Sequence, residues 1–358
     1  MSVEDRKTDG EGRSARRAER RAWGTTARDG DEPDREAGGS GGSGSSGSSG
    51  GSRPRGRVLA SAAVAVAVPM AFPGVVPNAV GNLGSLLETF LPWTGLAVPV
   101  LLGLALPRRS ALAAVFAVLP AAVWVAVFGG RSLPADREAA GDLTVLQHNV
   151  GEENPDHDGT ARALARAGAD LVALEELTPA VRPVYENVLA SGHPHRAVAG
   201  TVGLWSRYPL ADARPVDIRP AGVGADWNRG LRVTARTPQG EVAVYVAHLP
   251  SLRVRPSDGF GSGRRDESAA LLGEAVASET LGRVVLLGDL NGTLDDRGLA
   301  PLTSRLVSTR KGFAFSWPAA LPLARIDHVM TRGASPVAAW ILPATGSDHL
   351  PLMARVDL

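Results

Sequence analysis

Three apolar stretches before residue 130 constrain this chain most. Val58 to Val76 and Ala111 to Phe128 carry no charge, and Leu86 to Leu106 carries only Glu88. Each is close to the roughly 20 residues that cross a bilayer as a helix. None shows the polar face, repeated at helical spacing, that a surface helix of a soluble protein needs. Prolines at 69, 73, 92, 99 and 120 interrupt soluble helices, whereas membrane helices tolerate them better. The stretches are therefore read as three transmembrane helices, at about 58–76, 86–106 and 111–128. A buried helical core is the competing reading. A cleaved signal peptide is another for the first stretch, but a long tail precedes it and two more apolar stretches follow.

Residues 1–57 form a charged and then Gly/Ser-rich tail. Arg13 to Arg21 is arginine-rich, and Gly38 to Ser52 is an unbroken Gly/Ser tract. Such sequence buries too little apolar surface to offset chain entropy, so disorder is expected. Its basic part is either a contact for anionic lipid headgroups or a solvated tail. Arg53, Arg55 and Arg57 precede the first span, and Arg108 and Arg109 lie between the second and third. The connection Pro77 to Ser85 has no Lys or Arg. Positive-inside bias then places the N-terminus in the cytoplasm and everything after about residue 130 outside, although Arg131 and Arg137 run against it. The expectation is a multi-pass protein of the cell membrane. Residues 131–141 would be a linker to an extracellular domain at 142–358.

From Asp142 the pattern becomes that of an α/β domain. Leu143 to Leu146, Leu171 to Leu174 and Val284 to Leu287 are short apolar runs suited to buried strands. Further strands are expected near 202–206, 212–218, 230–236, 241–247, 325–330, 337–342 and 350–357. Helices are expected at 160–167, at 264–279 and after Thr178-Pro179, a cap and first-turn proline. Many strands with few interleaved helices point to a layered α/β sandwich. The chain has no cysteine, which excludes thiolate metal sites, and a net charge of +1, which gives no global field for nucleic acid.

Polar residues close these strands. Asp289 and Asn291 follow Leu287 and share a face of an extended segment. There they form either a water-activating pair or an Asx-type turn. Glu175 and Glu176 project to opposite sides, so one of them can face a site. A carboxylate there suits Mg²⁺, which takes oxygen ligands; a solvated acidic pair is the alternative. Asn149 is a neutral oxygen ligand or a turn former. His248 is a functional imidazole or a hydrogen-bonded structural one. Asp327 and His349 can pair, the acid fixing the tautomer and favouring the charged ring.

The series Gln147-His148-Asn149-Val150, Ala173-Leu174-Glu175-Glu176, Ala247-His248-Leu249, Gly288-Asp289-Leu290-Asn291, Arg325-Ile326-Asp327-His328 and Ser347-Asp348-His349 resembles the endonuclease/exonuclease/phosphatase superfamily. The resemblance covers residues 142–358 and implies a four-layered, DNase I-like α/β sandwich. It implies Glu176 as the main Mg²⁺ ligand (Mn²⁺ being an alternative ion), helped by Asn149, with Asp348 completing the network. Asp289 would deprotonate the attacking water, Asn291 would position the phosphate, and Asp327 would pair with His349. His248 would face the phosphate from the opposite side. Arg229, before a strand, is either a phosphate clamp or a loop arginine. Glu175 departs from the family, which usually has glutamine there.

The expected reaction is metal-assisted phosphoester or pyrophosphate hydrolysis. The expected partners are the lipid membrane and a phosphorylated or pyrophosphorylated lipid. Similarity to membrane-bound family members implies undecaprenyl pyrophosphate or a related cell-wall intermediate, with reduced glycopeptide susceptibility. A membrane-tethered nuclease is a second reading, with Arg253, Arg255, Arg264 and Arg265 supplying charge. Stacking aromatics are sparse there. A non-catalytic binding module is a third. Nothing in the sequence points to a protein partner.

Overall fold

The computed structural model describes residues 53–108, 111–255, 259–309 and 311–358. The tail to residue 52, with its Gly/Ser tract, lies outside the described residues, as do Arg109 and the side chains of Arg53, Arg55, Arg108 and Arg255. The described residues all belong to one compact unit beginning at Ser49.

Four helices come first: α1 (Arg53–Ala71), α2 (Leu83–Thr89), α3 (Ala97–Ala105) and α4 (Ala111–Phe128). Helices α1 and α4 pack along each other through Ala63, Ala117, Met70 and Phe128. Within the described residues, no single helix is long and apolar enough to cross a membrane. The stretch expected to cross at 86–106 is not one helix. It is bent by 77° between Leu83–Thr89 and Leu91–Ala105. Pro92 lies in the 3-10 turn Leu91–Leu96 at this break, where a ring without an N–H cannot continue an α-helix.

The α/β part begins with β1 (Leu143–Asn149), α5 (His157–Arg166), β2 (Leu171–Glu175) and α6 (Arg182–Leu189). Strands β3 (His195–Ala199), β4 (Val202–Ser206), β5 (Leu210–Pro215), β6 (Gly230–Thr237) and β7 (Gly240–His248) follow. A hairpin of β8 (Arg253–Arg255) and β9 (Gly259–Gly261) leads to α7 (Gly263–Ala277) and β10 (Val284–Asp289). The chain ends with β11 (Asp327–Arg332), β12 (Ser335–Ile341) and β13 (Leu352–Asp357).

The strands form two mixed sheets, ordered β12-β13-β1-β2-β4-β3 and β11-β10-β7-β6-β5. Their inner faces share a core that includes Val145, Leu171, Leu204, Val244, Leu287 and Val329. Helices α5 and α6 cover the outer face of the first sheet through Leu164, Tyr185 and Leu189. Helix α7 covers the second through Ala269, Leu272 and Val276. This is the expected layered sandwich.

Other elements also differ from expectation, among them the hairpin of β8 and β9, in a segment where no strand was expected. Strand β3 has no apolar run and exists by pairing with β4. Helix α6 starts at Arg182, with Pro183 in its first turn, rather than at Thr178. Thr178 instead accepts backbone hydrogen bonds from Val181 and Arg182 in the preceding turn.

Candidate active site

Register brings the polar residues together. In the second sheet Asp289 lies opposite His248 on the parallel neighbour and opposite Asp327 on the antiparallel one. In the first sheet Asn149 lies opposite Glu175. These strand ends meet across the sandwich, because Asn149 Nδ2 lies 3.1 Å from Asp289 Oδ2.

The innermost group is Asp327, His349 and Asp289, whose candidate ligand atoms all lie within 4.8 Å of one another. His349 Nδ1 is 2.9 Å from Asp327 Oδ2, and its Nε2 is 3.7 Å from Asp289 Oδ2. Burial works against a charge on His349, but Asp327 and Asp289 outweigh it and raise its pKa to about 10. Burial would raise Asp327 too. The His349 charge and hydrogen bonds from His349, Ser316 and Gln147 instead hold it down to about 2. The pair is thus an ionised carboxylate with an imidazolium. Burial raises Asp289 to about 7, against the His349 charge. That value suits a group that takes a proton near neutral pH.

Glu176 stands at the mouth, its side chain 31% exposed, on a backbone at φ +56°. Its Oε2 accepts from Glu152 N at 2.8 Å and its Oε1 from Asn149 Nδ2 at 3.2 Å. His248 Nε2 lies 3.9 Å from that Oε1 and 3.6 Å from Asp289 Oδ2. Burial, helped by Arg229, drives His248 well below its usual pKa, so this ring is neutral. Arg229 Nη1 sits 3.2 Å from His248 Nδ1 and 3.4 Å from its Nε2. Two carboxylates, Glu176 and Asp289, therefore approach the same His248 Nε2, at 3.9 and 3.6 Å, with Arg229 behind that ring. That donor set fits a hard divalent cation bound through oxygen.

Three expected residues are placed differently. Asn149 turns its Nδ2 toward Glu176 and Asp289, and its Oδ1 accepts from Gly151 N at 3.0 Å. It bridges the carboxylates as a donor, and ligation needs the amide to rotate. Asp348 is exposed and turned aside; its Oδ2 accepts from Trp317 Nε1 at 3.3 Å. Asn291, at φ +46°, spends its Nδ2 on Leu249 O at 2.9 Å and on Asp289. It braces the Asp289 turn from inside.

Other contributors carry little sequence signal. Gln147 donates to both Glu175 Oε2 and Asp327 Oδ1 at 2.8 Å. Burial, and then the charge of Asp327, push the Glu175 pKa well above the usual range, which makes it a neutral partner for Gln147. Ser347 Oγ donates to Asn149 O and accepts from His349 N, so the two strand ends are tied at that point. Arg265, counted above toward a nucleic-acid groove, is fully buried. It pairs with Asp296 at 2.7 Å and donates to Asn291 O at 3.1 Å. A buried, paired arginine offers no charge to a ligand.

The Endonuclease/Exonuclease/phosphatase family matches residues 146–349, from inside β1 to His349. The chain belongs to this family. No curated protein matches it closely enough to count. Among solved structures, a functionally unknown conserved protein from Enterococcus faecalis V583 is 13% identical, with a TM-score of 0.51, over 60% of this chain and 99% of the other. TDP2 from D. rerio, complexed with a single-strand DNA product, is 16% identical, with a TM-score of 0.50, over 60% and 99%. Sphingomyelinase C from Streptomyces griseocarneus is 20% identical, with a TM-score of 0.46, over 60% and 99%. At such identities the first two likenesses establish the fold alone. Family membership makes this chain a hydrolase by class, and the buried Asp327–His349 pair lies beside Asp289 within the matched residues.

Proposed function

We propose that the protein is a membrane-anchored, Mg²⁺- or Mn²⁺-dependent phosphohydrolase. It acts at the outer face of the membrane on a lipid pyrophosphate such as undecaprenyl pyrophosphate or a related cell-wall intermediate. The observation that carries the chemistry is the ionised Asp327–His349 pair packed against Asp289, whose pKa lies near 7. Asp289 takes a proton from water as the water oxygen bonds to phosphorus. The opposite P–O bond breaks and its electron pair leaves on the departing oxygen. The His349 imidazolium offsets the charge that develops on the phosphoryl oxygens. A divalent cation, when bound near Glu176 and Asp289, supplies further charge stabilisation.

The membrane reading is supported by apolar surface on the helices. Val58 and Val115 are each 68% exposed, and Phe72, Leu106 and Val125 are exposed as well. Large apolar side chains exposed in this number call for a covering. A lipid substrate is further favoured by an apolar cleft of about 440 Å³ where the helices meet the catalytic domain. Pro92, Trp93, Leu96, Trp124, Phe313 and Phe315 line it. Kinship with the membrane-bound teicoplanin-resistance protein VanJ is part of this proposal, with reduced teicoplanin susceptibility as the physiological effect.

The test compares phosphate release from a polyprenyl pyrophosphate with cleavage of plasmid DNA, each with Mg²⁺ and with chelator. Metal-dependent phosphate release with no DNA cleavage supports this reading. Metal-dependent DNA cleavage alone supports a tethered nuclease, and inactivity on both supports a binding module.

A further inference from the structure

We infer that the basic cavity beside His248 is a subsite for a second phosphate, so that the preferred substrate is a diphosphate. This rests on the hydrolase reading above and specifies its substrate. The cavity has a volume of about 510 Å³ and is lined by Trp227, Arg229, Pro250, Ser251, Arg253 and Arg264, among others. Three of its side chains are guanidinium groups, and no described carboxylate lines it. The neighbouring catalytic end has the opposite character, being built around Glu176, Asp289 and Asp327.

Arg229 joins the two. Its Nη1 is 3.2 Å from His248 Nδ1, and His248 Nε2 is 3.6 Å from Asp289 Oδ2. Its guanidinium lies over the Trp227 ring, 5.3 Å from the centroid, a contact that fixes its plane. Arg253 and Arg264 have no hydrogen bond or ion pair with any described side chain. Two such arginines in one cavity repel each other unless an anion lies between them. The start of α7 at Gly263 opens into the same cavity and adds the positive end of a fifteen-residue helix.

The wall that carries Arg253 is held in place. Phe260 N donates to Gly81 O at 2.8 Å, and Asn82 Nδ2 donates to Phe260 O at 2.7 Å. The hairpin of β8 and β9 is thereby fixed to the connection between α1 and α2. A phosphate ester attacked at Asp289 would place its neighbouring phosphate against the three arginines. The water oxygen bonds to the terminal phosphorus, and its proton goes to Asp289. The P–O bond to the bridging oxygen breaks, and the electron pair leaves on a phosphate monoester whose charge the arginines offset. Guanidinium forks suit that anion.

The test uses the full-length protein in detergent micelles and its R253A/R264A variant. Both arginines are exposed, so their truncation leaves the core intact. Titration calorimetry with chelator present measures binding of inorganic pyrophosphate and of inorganic phosphate. The wild type is expected to bind pyrophosphate at least about tenfold more tightly, and the variant to lose that preference. Equal binding of both anions by the wild type, or an unchanged preference in the variant, overturns the subsite. Hydrolysis is measured with Mg²⁺ on farnesyl diphosphate, farnesyl monophosphate and a single-stranded oligonucleotide. The diphosphate-to-monophosphate ratio of kcat/KM should fall about tenfold in the variant. Oligonucleotide cleavage that alone depends on the two arginines reassigns the cavity to a nucleic-acid phosphate and overturns the proposal. If the wild type hydrolyses nothing, the hydrolase reading falls, while the calorimetry still decides the subsite.

Discussion

At the scale of single residues, Glu176 and Asp289 divide the work. Glu176 occupies a left-handed backbone conformation that a non-glycine residue adopts at a cost. It is retained because both carboxylate oxygens are bonded, one by Glu152 N and one by Asn149. The conformation turns the carboxylate to the cleft mouth, where a cation can reach it. Replacing Glu176 by Gln should raise the Mg²⁺ concentration needed for half-maximal phosphate release by at least about tenfold, with little change in thermal midpoint. Replacing Asp289 by Asn, or His349 by Ala, should lower kcat by about 10² to 10⁴-fold and leave the far-ultraviolet circular dichroism unchanged. Near-normal turnover in both variants would remove Asp289 and His349 from the mechanism. The strand-end positions of these residues were legible in the sequence. The directions of their side chains were not. Asp348 and His349 are adjacent, yet one faces Trp317 at the surface and the other faces Asp327 in the interior.

At the scale of elements, a buried ion pair joins the end of α7 to the second sheet. Arg232 of β6 donates to both carboxylate oxygens of Glu279, at 2.8 and 3.1 Å, and Tyr245 adds a third hydrogen bond. Burial would raise Glu279, but these bonds and one from Leu281 N lower its pKa to about 2. A depressed carboxylate pKa stabilises the fold above the unfolded value of 4.5, and that stability is lost as pH falls toward 2. Wild-type stability should drop between about pH 5 and pH 2 by up to about 3 kcal/mol from this group alone. Replacing Glu279 by Gln should flatten that part of a denaturant-midpoint profile. A second element-scale anchor is Arg265, which ties α7 to the loop after Asp289. Truncating it leaves Asp296 charged and buried and should cost about 3–5 kcal/mol, read as a shift in urea midpoint. The strands behind these contacts were readable because Val284 to Leu287 and Leu171 to Leu174 are apolar enough to be buried on both faces. Strand β3 was not, because its partly exposed residues have no apolar run and its order comes from β4.

At the scale of the molecule, the helices and the catalytic domain are docked. Glu88 of α2 is buried and bonded by Arg297, with Nη2 at 2.8 Å and the backbone N at 3.0 Å. Arg131 forms a bidentate pair with Asp295, and Trp93 Nε1 donates to Leu323 O at 2.7 Å. Residues 131–141, expected as a linker, are held at several points, including Leu133 O by Gly312 N and Ala139 O by Arg355. The active site is therefore oriented by contacts with the helices. Replacing Glu88 by Ala should lower the stability of the full chain by about 2 kcal/mol and speed proteolysis between residues 129 and 142. For topology, protease added to intact cells should remove a C-terminal tag and spare an N-terminal one; the opposite pattern would reverse the proposed orientation.

The sequence alone determined the apolar segments, most of the strands and the polar residues that close them. Local composition sets these through burial and backbone propensity. Tertiary structure decided which of those residues meet. Gln147 and Asp327 are 180 positions apart and Asn149 and Asp289 are 140 apart, and only the packing of one sheet on the other brings each pair within bonding distance. It also decided which arginines are free. Arg264 and Arg265 are neighbours, yet the turn of α7 buries one against Asp296 and leaves the other exposed at the basic cavity.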